Sequence, residues 1–166
     1  MSVLYAVLGF VVVQRAAELW VAARNTRGLR AHGAIEIDAS GYPWIVVMHA
    51  AWLASMFVLV PTDAAPSWPL LGIFAALQLG RLWVIATLGR RWTTRIIVLP
   101  GAKLVQTGPY RYLRHPNSAI VVAEIVVLPL AFGAIAIALV FSAANFVLIA
   151  RRIAIEDRAL AGTASV

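Results

Sequence analysis

The sequence contains no cysteine, so no disulfide can staple the fold and no thiolate can hold a metal. Charge is also scarce. Only 13% of the 166 residues are Asp, Glu, Lys or Arg, and the acidic ones number seven. Apolar residues take their place, at 62% of the chain against roughly 45–50% in soluble domains. A soluble domain of this length keeps much of its surface in water and could not hide such an excess. The bilayer is the natural solvent for it. No internal repeat or low-complexity tract breaks the chain, and its length allows a single membrane domain, 1–166. The first segment lacks a basic n-region and a small-residue cleavage site, so it is expected to be a retained span rather than a removed signal peptide.

A spanning helix takes about 20 mainly apolar residues. Such stretches run over about 2–23, 42–60 and 68–88. A polar and basic segment follows, 89–116, with the turn pairs Pro100-Gly101 and Gly108-Pro109. The last apolar block, 117–150, is too long for one ordinary span, and Pro129 and Gly133 flank a break within it. It predicts a tight hairpin, 117–131 and 134–150, with a helical extension over 151–160. The expected fold class is therefore an all-α integral membrane protein of five transmembrane helices, the last two forming a helical hairpin.

Charge placement agrees with that count. Arg24, Arg27 and Arg30 follow the first span; Arg90, Arg91, Arg95, Lys103, Arg111 and Arg114 follow the third; Arg151, Arg152 and Arg158 follow the fifth. The loop 61–67 and the hairpin tip carry none. Twelve of the fourteen basic residues thus fall on one side, which the positive-inside rule makes cytoplasmic, with the N-terminus outside and the C-terminus in the cytoplasm. Four spans would divide them between the two sides. In a soluble chain a net charge of +7 would suggest nucleic acid; here sidedness accounts for it and no nucleic-acid partner is expected. Tyr42, Trp44, Trp68 and Trp92 fall near span ends, as an aromatic belt would.

Polar groups inside spans are expensive and need partners. Gln14, Arg15 and Glu18 lie in the first span, His49 in the second, Gln78 and Arg81 in the third, Glu124 in the fourth and Asn145 in the fifth. Arg15 and Glu18 are three apart and can pair on one helix face, and Gln78 and Arg81 share a face in the same way. These residues either fasten helices together or serve function. His49 has no carboxylate or cysteine neighbour in sequence, so no metal site is expected.

The run from Gly108 to Asn117 leads straight into the fourth span. His115 precedes a proline and is biased away from helical dihedrals, and Pro116 suits a first helical position. The free N–H groups of that helix start would bind a carboxylate or phosphate, with Arg111 and Arg114 beside them; the plainer alternative is a basic loop against anionic headgroups. Arg152 and Glu156 are four apart and share a face, either as a surface ion pair or as a cation and a carboxylate flanking a ligand. The fourth–fifth hairpin brings the two segments to one place.

Those residues carry a family resemblance. Arg91-Trp92-Thr93-Thr94-Arg95, then Gly108-Pro109-Tyr110-Arg111-Tyr112-Leu113-Arg114-His115-Pro116-Asn117, then Arg152-Ile153 and Glu156-Asp157 resemble the isoprenylcysteine carboxyl methyltransferases over roughly 88–160. The likeness is strongest to small bacterial members, some of which methylate phenolic lipids, and implies residence in a bacterial inner (plasma) membrane. It also implies a cytoplasmic cofactor pocket holding S-adenosyl-L-methionine. Ala102, Lys103, Leu104 and Val105 would line that cofactor and Tyr110 would contact it. His115, Pro116, Asn117 and Ser118 would hold it at the helix start, and Glu156 from the other side. Arg152 would bind and orient the acceptor, and Arg152, Glu156 and His115 form the expected catalytic set. An acceptor carboxylate needs no base, whereas a hydroxyl needs one, for which His115, Glu156 and Asp157 are candidates. The partner implied is a lipophilic small molecule or prenylated acceptor entering from the bilayer, amid membrane lipids. Two departures stand out. Ser118 replaces the tyrosine usual after Arg-His-Pro-x, and no aromatic Phe-Gly-x-x-Tyr pattern follows. The aromatic contact would be lost or supplied elsewhere. An NADPH-dependent membrane reductase, which shares an Arg-His-Pro-Asn step, and a non-enzymatic scaffold or small transporter are the competing readings.

Overall fold

The computed structural model describes residues 2–163. Five helices carry the fold among them: α1 Val3–Ala31, α2 Tyr42–Leu59, α3 Trp68–Leu88, α4 Pro116–Ala131 and α5 Ile135–Thr163. Four are long and apolar enough to cross a membrane; α4, with 16 residues, is the short one. The expected breaks are where the sequence puts them. Pro43, Pro69 and Pro116 sit in first turns, where the missing N–H costs nothing. Gly133, at a φ of 70°, makes the tight turn between α4 and α5 that a side chain would resist.

Three expectations need correcting. The first helix does not stop near residue 23 but runs to Ala31, because no proline interrupts Arg24 to Arg30 and the single Gly28 is tolerated. The helices are joined by a short ladder that the all-α reading did not include: β1 Ile35–Glu36 pairs antiparallel with β2 Ile97–Val98. Two-residue strands are too short to show any periodicity. Trp92, placed in an aromatic belt by its position, is instead buried to 2%.

α4 is the spine of the bundle, lying against α3 on one side and α5 on the other. Val121, Ile125 and Leu128 meet Leu4, Leu8 and Val11 of α1, Trp52 and Met56 of α2 and Phe74 of α3 in one apolar core. The outward faces are apolar as well: Phe10, Val13, Val58, Leu79 and Phe146 are all exposed, as lipid-facing residues are. At one end, the Ser67 amide donates to the Ala131 carbonyl at 2.7 Å, bringing the 61–67 loop and the end of α4 together. The segments 32–41 and 89–115 and the end of α5 gather at the opposite, arginine-rich end, where Arg151 reaches Asp38 at 3.2 Å.

Candidate active site

A cavity of about 910 Å³ opens at the arginine-rich end, between the 91–106 segment, the Tyr110–His115 turn, the start of α4 and the later turns of α5. Its volume lies in the range of ligand pockets, about 300–1,000 Å³. Of the residues singled out in the sequence, Ala102, Lys103, Leu104, Val105, Tyr110, His115, Asn117, Ser118, Arg152 and Glu156 all line it. Pro116 does not; it is buried in the first turn of α4.

The loops that present these residues follow from local chemistry. Pro100 and Gly101 (φ 73°) occupy the central positions of a turn closed by the Ala102 amide on the Leu99 carbonyl at 3.2 Å, the pattern of a type II turn. Arg91 donates to the Lys103 carbonyl at 2.7 Å and ties down that wall. Gly108, at a φ of 57°, starts the 3₁₀ turn Gly108–Arg111, and Tyr112 and Leu113 both donate back to the Pro109 carbonyl. Asn25 of α1 donates to the Gly89 and Trp92 carbonyls, at 3.1 and 2.8 Å, and fixes the end of α3.

Arg152 and Glu156 do not form the ion pair their spacing allowed. Arg152 donates through Nη1 to the Thr94 carbonyl at 2.8 Å. Glu156 lies 3.7 Å from His115 Nδ1, while His115 Nε2 lies 3.2 Å from Asp157 Oδ1. Both imidazole nitrogens thus face carboxylates of α5. Arg114 Nε stands 3.6 Å from the same Asp157 oxygen. Burial, and next the Glu156 charge, push the Tyr110 phenol up to about 12. Tyr110 therefore stays protonated near neutral pH and acts as a hydrogen-bond donor rather than a base.

The Arg152 anchor is braced by residues to which the sequence reading gave no such role. The Thr94 hydroxyl meets the Tyr42 hydroxyl at 3.1 Å, and the Arg95 guanidinium stacks 4.2 Å over the Tyr42 ring. Arg95 also reaches Glu36 at 2.6 Å, and Arg30 holds the same carboxylate. The only clue in sequence was that Glu36 and Asp38 are acidic residues on a predominantly basic side. Their distant partners, Arg95 and Arg151, are 59 and 113 positions away.

Two buried polar atoms on the cavity wall have no protein partner among the described residues: Asn117 Oδ1 and Trp92 Nε1. Buried polar groups are bonded as a rule, so one acceptor and one donor stand ready for a polar ligand. The start of α4 adds the free first-turn amides of Asn117 and Ser118. Such a set fits an amino acid joined to a nucleoside, with an anionic end for the helix start and amine or hydroxyl donors for Glu156 and Asn117. No group of three or more metal-ligating side chains occurs among the described residues.

A model of the isoprenylcysteine carboxyl methyltransferase (ICMT) family matches residues 70–162, which takes in α3, the whole cavity wall from 91 onward, and the α4–α5 hairpin. The chain belongs to the isoprenylcysteine carboxyl methyltransferase family. It is also 41% identical to the uncharacterized protein YpbQ of Bacillus subtilis (strain 168) over 158 residues, covering 92% of this chain and 94% of that one. No solved structure matches it. The ICMT family is a methyltransferase family, so the cavity is read as part of an enzyme. The match begins within α3 and leaves out α1 and α2, although Glu36 in the loop between them and Tyr42 at the start of α2 brace the ICMT cavity through Arg95 and Thr94.

Proposed function

We propose that this ICMT-family chain is an S-adenosylmethionine-dependent O-methyltransferase. On this reading it works at the cytoplasmic face of a bacterial inner membrane, on a lipophilic acceptor bearing a carboxylate or a hydroxyl. The observation that carries the reading is the meeting of His115, Asn117 and Ser118 from the start of α4 with Arg152 and Glu156 of α5 around one cavity. Asn117 and Trp92, both residues of the cavity wall, each hold a buried polar atom without a protein partner among the described residues, which adds weight.

The cofactor, when bound, supplies an electrophilic methyl group on a sulfonium. The protein's share is to bind, orient and handle a proton. The start of α4 holds an anionic end, Glu156 and Asn117 Oδ1 accept hydrogen bonds, and Tyr110 donates one. Arg152, with Nη1 committed to Thr94, keeps Nε and Nη2 for the acceptor and can fork onto a carboxylate. For a hydroxyl acceptor, His115 takes the proton at Nδ1 while its Nε2–H donates to Asp157. The carboxylate fixes the tautomer and steadies the imidazolium that forms, as a buried Asp does for His in hydrolases. Alignment of two bound reactants alone supplies several kcal/mol of the barrier. An acceptor dissolved in the bilayer reaches this site sideways between helices, which gives a methyltransferase a reason to be built from spans.

Titration calorimetry of the detergent-purified protein with S-adenosylhomocysteine tests the reading. Binding is expected, with loss of the heat in Glu156→Ala. Heat with NADPH and none with S-adenosylhomocysteine would overturn it in favour of a reductase.

A further inference from the structure

The chemistry above leaves the charged groups inside the bundle unused, and they are not scattered. Glu124 of α4 is 1% exposed. Its Oε1 accepts from Gln78 Nε2 at 2.8 Å and Arg81 Nε at 3.1 Å. Its Oε2 accepts from Arg15 Nη2 at 2.6 Å and from Arg81 Nη2. Glu18 completes the group, taking Arg15 Nη1 at 2.8 Å and Arg81 Nη1 at 3.3 Å. Two arginines and two glutamates leave no net charge, and the bonds join α1, α3 and α4.

Buried ion pairs are poor evidence for stability, since apolar replacements often do as well. Their better-attested use is to select one register. Here the register concerns the cavity. Glu124 lies seven residues from Asn117 on the same face of α4, two turns or about 10 Å away. Ser118, Val121, Glu124, Ile125 and Leu128 form one buried stripe. A slip of α4 by one turn, about 5.4 Å, would break every bond to Glu124 at once and carry the start of α4 out of the cavity wall. A continuous apolar stripe could tolerate that slip; a carboxylate with four donors cannot.

We infer that Glu124 is a positioning residue: held by Arg15, Gln78 and Arg81, it fixes the depth of α4 and thereby sets His115, Asn117 and Ser118 at the cavity. The inference rests on the methyltransferase reading for one of its two readouts. Glu124→Asp keeps the charge and shortens the side chain by one bond, about 1.5 Å. α4 must then shift or lose bonds. A misplacement of 1 Å at a reacting centre costs about a hundredfold. We expect the methyl-transfer rate to fall by about tenfold to a hundredfold and the dissociation constant for S-adenosylhomocysteine to rise, with the acceptor KM unchanged.

The second readout needs no cofactor. Because the chain has no cysteine, Ser118→Cys, at a position 8% exposed, gives a single thiol whose reaction rate with a water-soluble maleimide reports the depth of α4. Glu124→Asp should change that rate. A lower melting temperature with unchanged binding and unchanged labelling would reduce Glu124 to a fastener and overturn the inference. If the wild-type protein binds no S-adenosylhomocysteine, the methyltransferase reading falls by itself and labelling alone decides this one. Should Glu124→Asp fail to fold, Arg81→Lys, which keeps the charge and loses the fork, is read in the same two ways.

Discussion

Asn145 and Glu124 are both buried to 1%, yet they are opposites. Glu124 has a donor for each lone pair it presents, whereas neither amide atom of Asn145 has a partner among the described residues. An unpaired buried amide costs roughly 1–3 kcal/mol, and leucine has the same branched skeleton of side-chain heavy atoms. Asn145→Leu is therefore expected to raise the melting temperature of the detergent-solubilised protein. A melting temperature at or below that of the wild type would mean that the amide is bonded after all, by a group not drawn from this chain. The sequence made both residues visible, because a polar letter in an apolar stretch stands out. It also gave the Arg15–Glu18 pair, whose three-residue spacing decides its geometry. It could not give Arg81–Glu124, a pairing across 43 positions, nor show that Arg152 would turn to a backbone carbonyl rather than to Glu156. Local spacing decides which side chains can meet, but packing decides which of them do.

Elements were legible in proportion to their length. The apolar helices and the Pro129–Gly133 break follow from composition alone. The 91–106 wall does not, because its shape comes from a two-residue ladder, a Pro-Gly turn and side chains donating to carbonyls. Gly108 shows how such a wall is kept. Its φ is 57°, and a Cβ built there would overlap the Thr87 side chain of α3. Gly108→Ala should thus suffer twice, from a left-handed conformation that costs a side chain about 1–2 kcal/mol and from the overlap. Both the melting temperature and the affinity for S-adenosylhomocysteine should fall. Adding Thr87→Ala, which removes the nearest atoms, should recover the part due to overlap and leave the backbone strain. An additive double variant would show that Thr87 is not what Gly108 leans on.

Across the whole molecule, the open matter is how a 16-residue α4 relates to the bilayer. At 1.5 Å per residue it is about 24 Å long, short of a hydrocarbon core of about 30 Å. Its neighbours α3 and α5 shield it, so it need not match the lipid as an outer helix must. Its two ends point the same way as the charges do. The first turn lines the cavity at the arginine-rich end, and its last carbonyl, on Ala131, accepts from Ser67 in the loop 61–67, which carries no basic residue. Five helices alternating between those ends put twelve of fourteen basic residues on the cavity side. On the proposed reading, the positive-inside rule predicts a cytoplasmic cavity and an external 61–67 loop. An Asp63→Cys protein, its one thiol in that loop, should react with a membrane-impermeant maleimide on intact spheroplasts. A Lys103→Cys protein, with its thiol at the cavity, should react only after the membrane is opened. The reverse pattern would put the cavity outside the cell, away from any cytoplasmic pool of methyl donor, and the proposed chemistry would lose its supply.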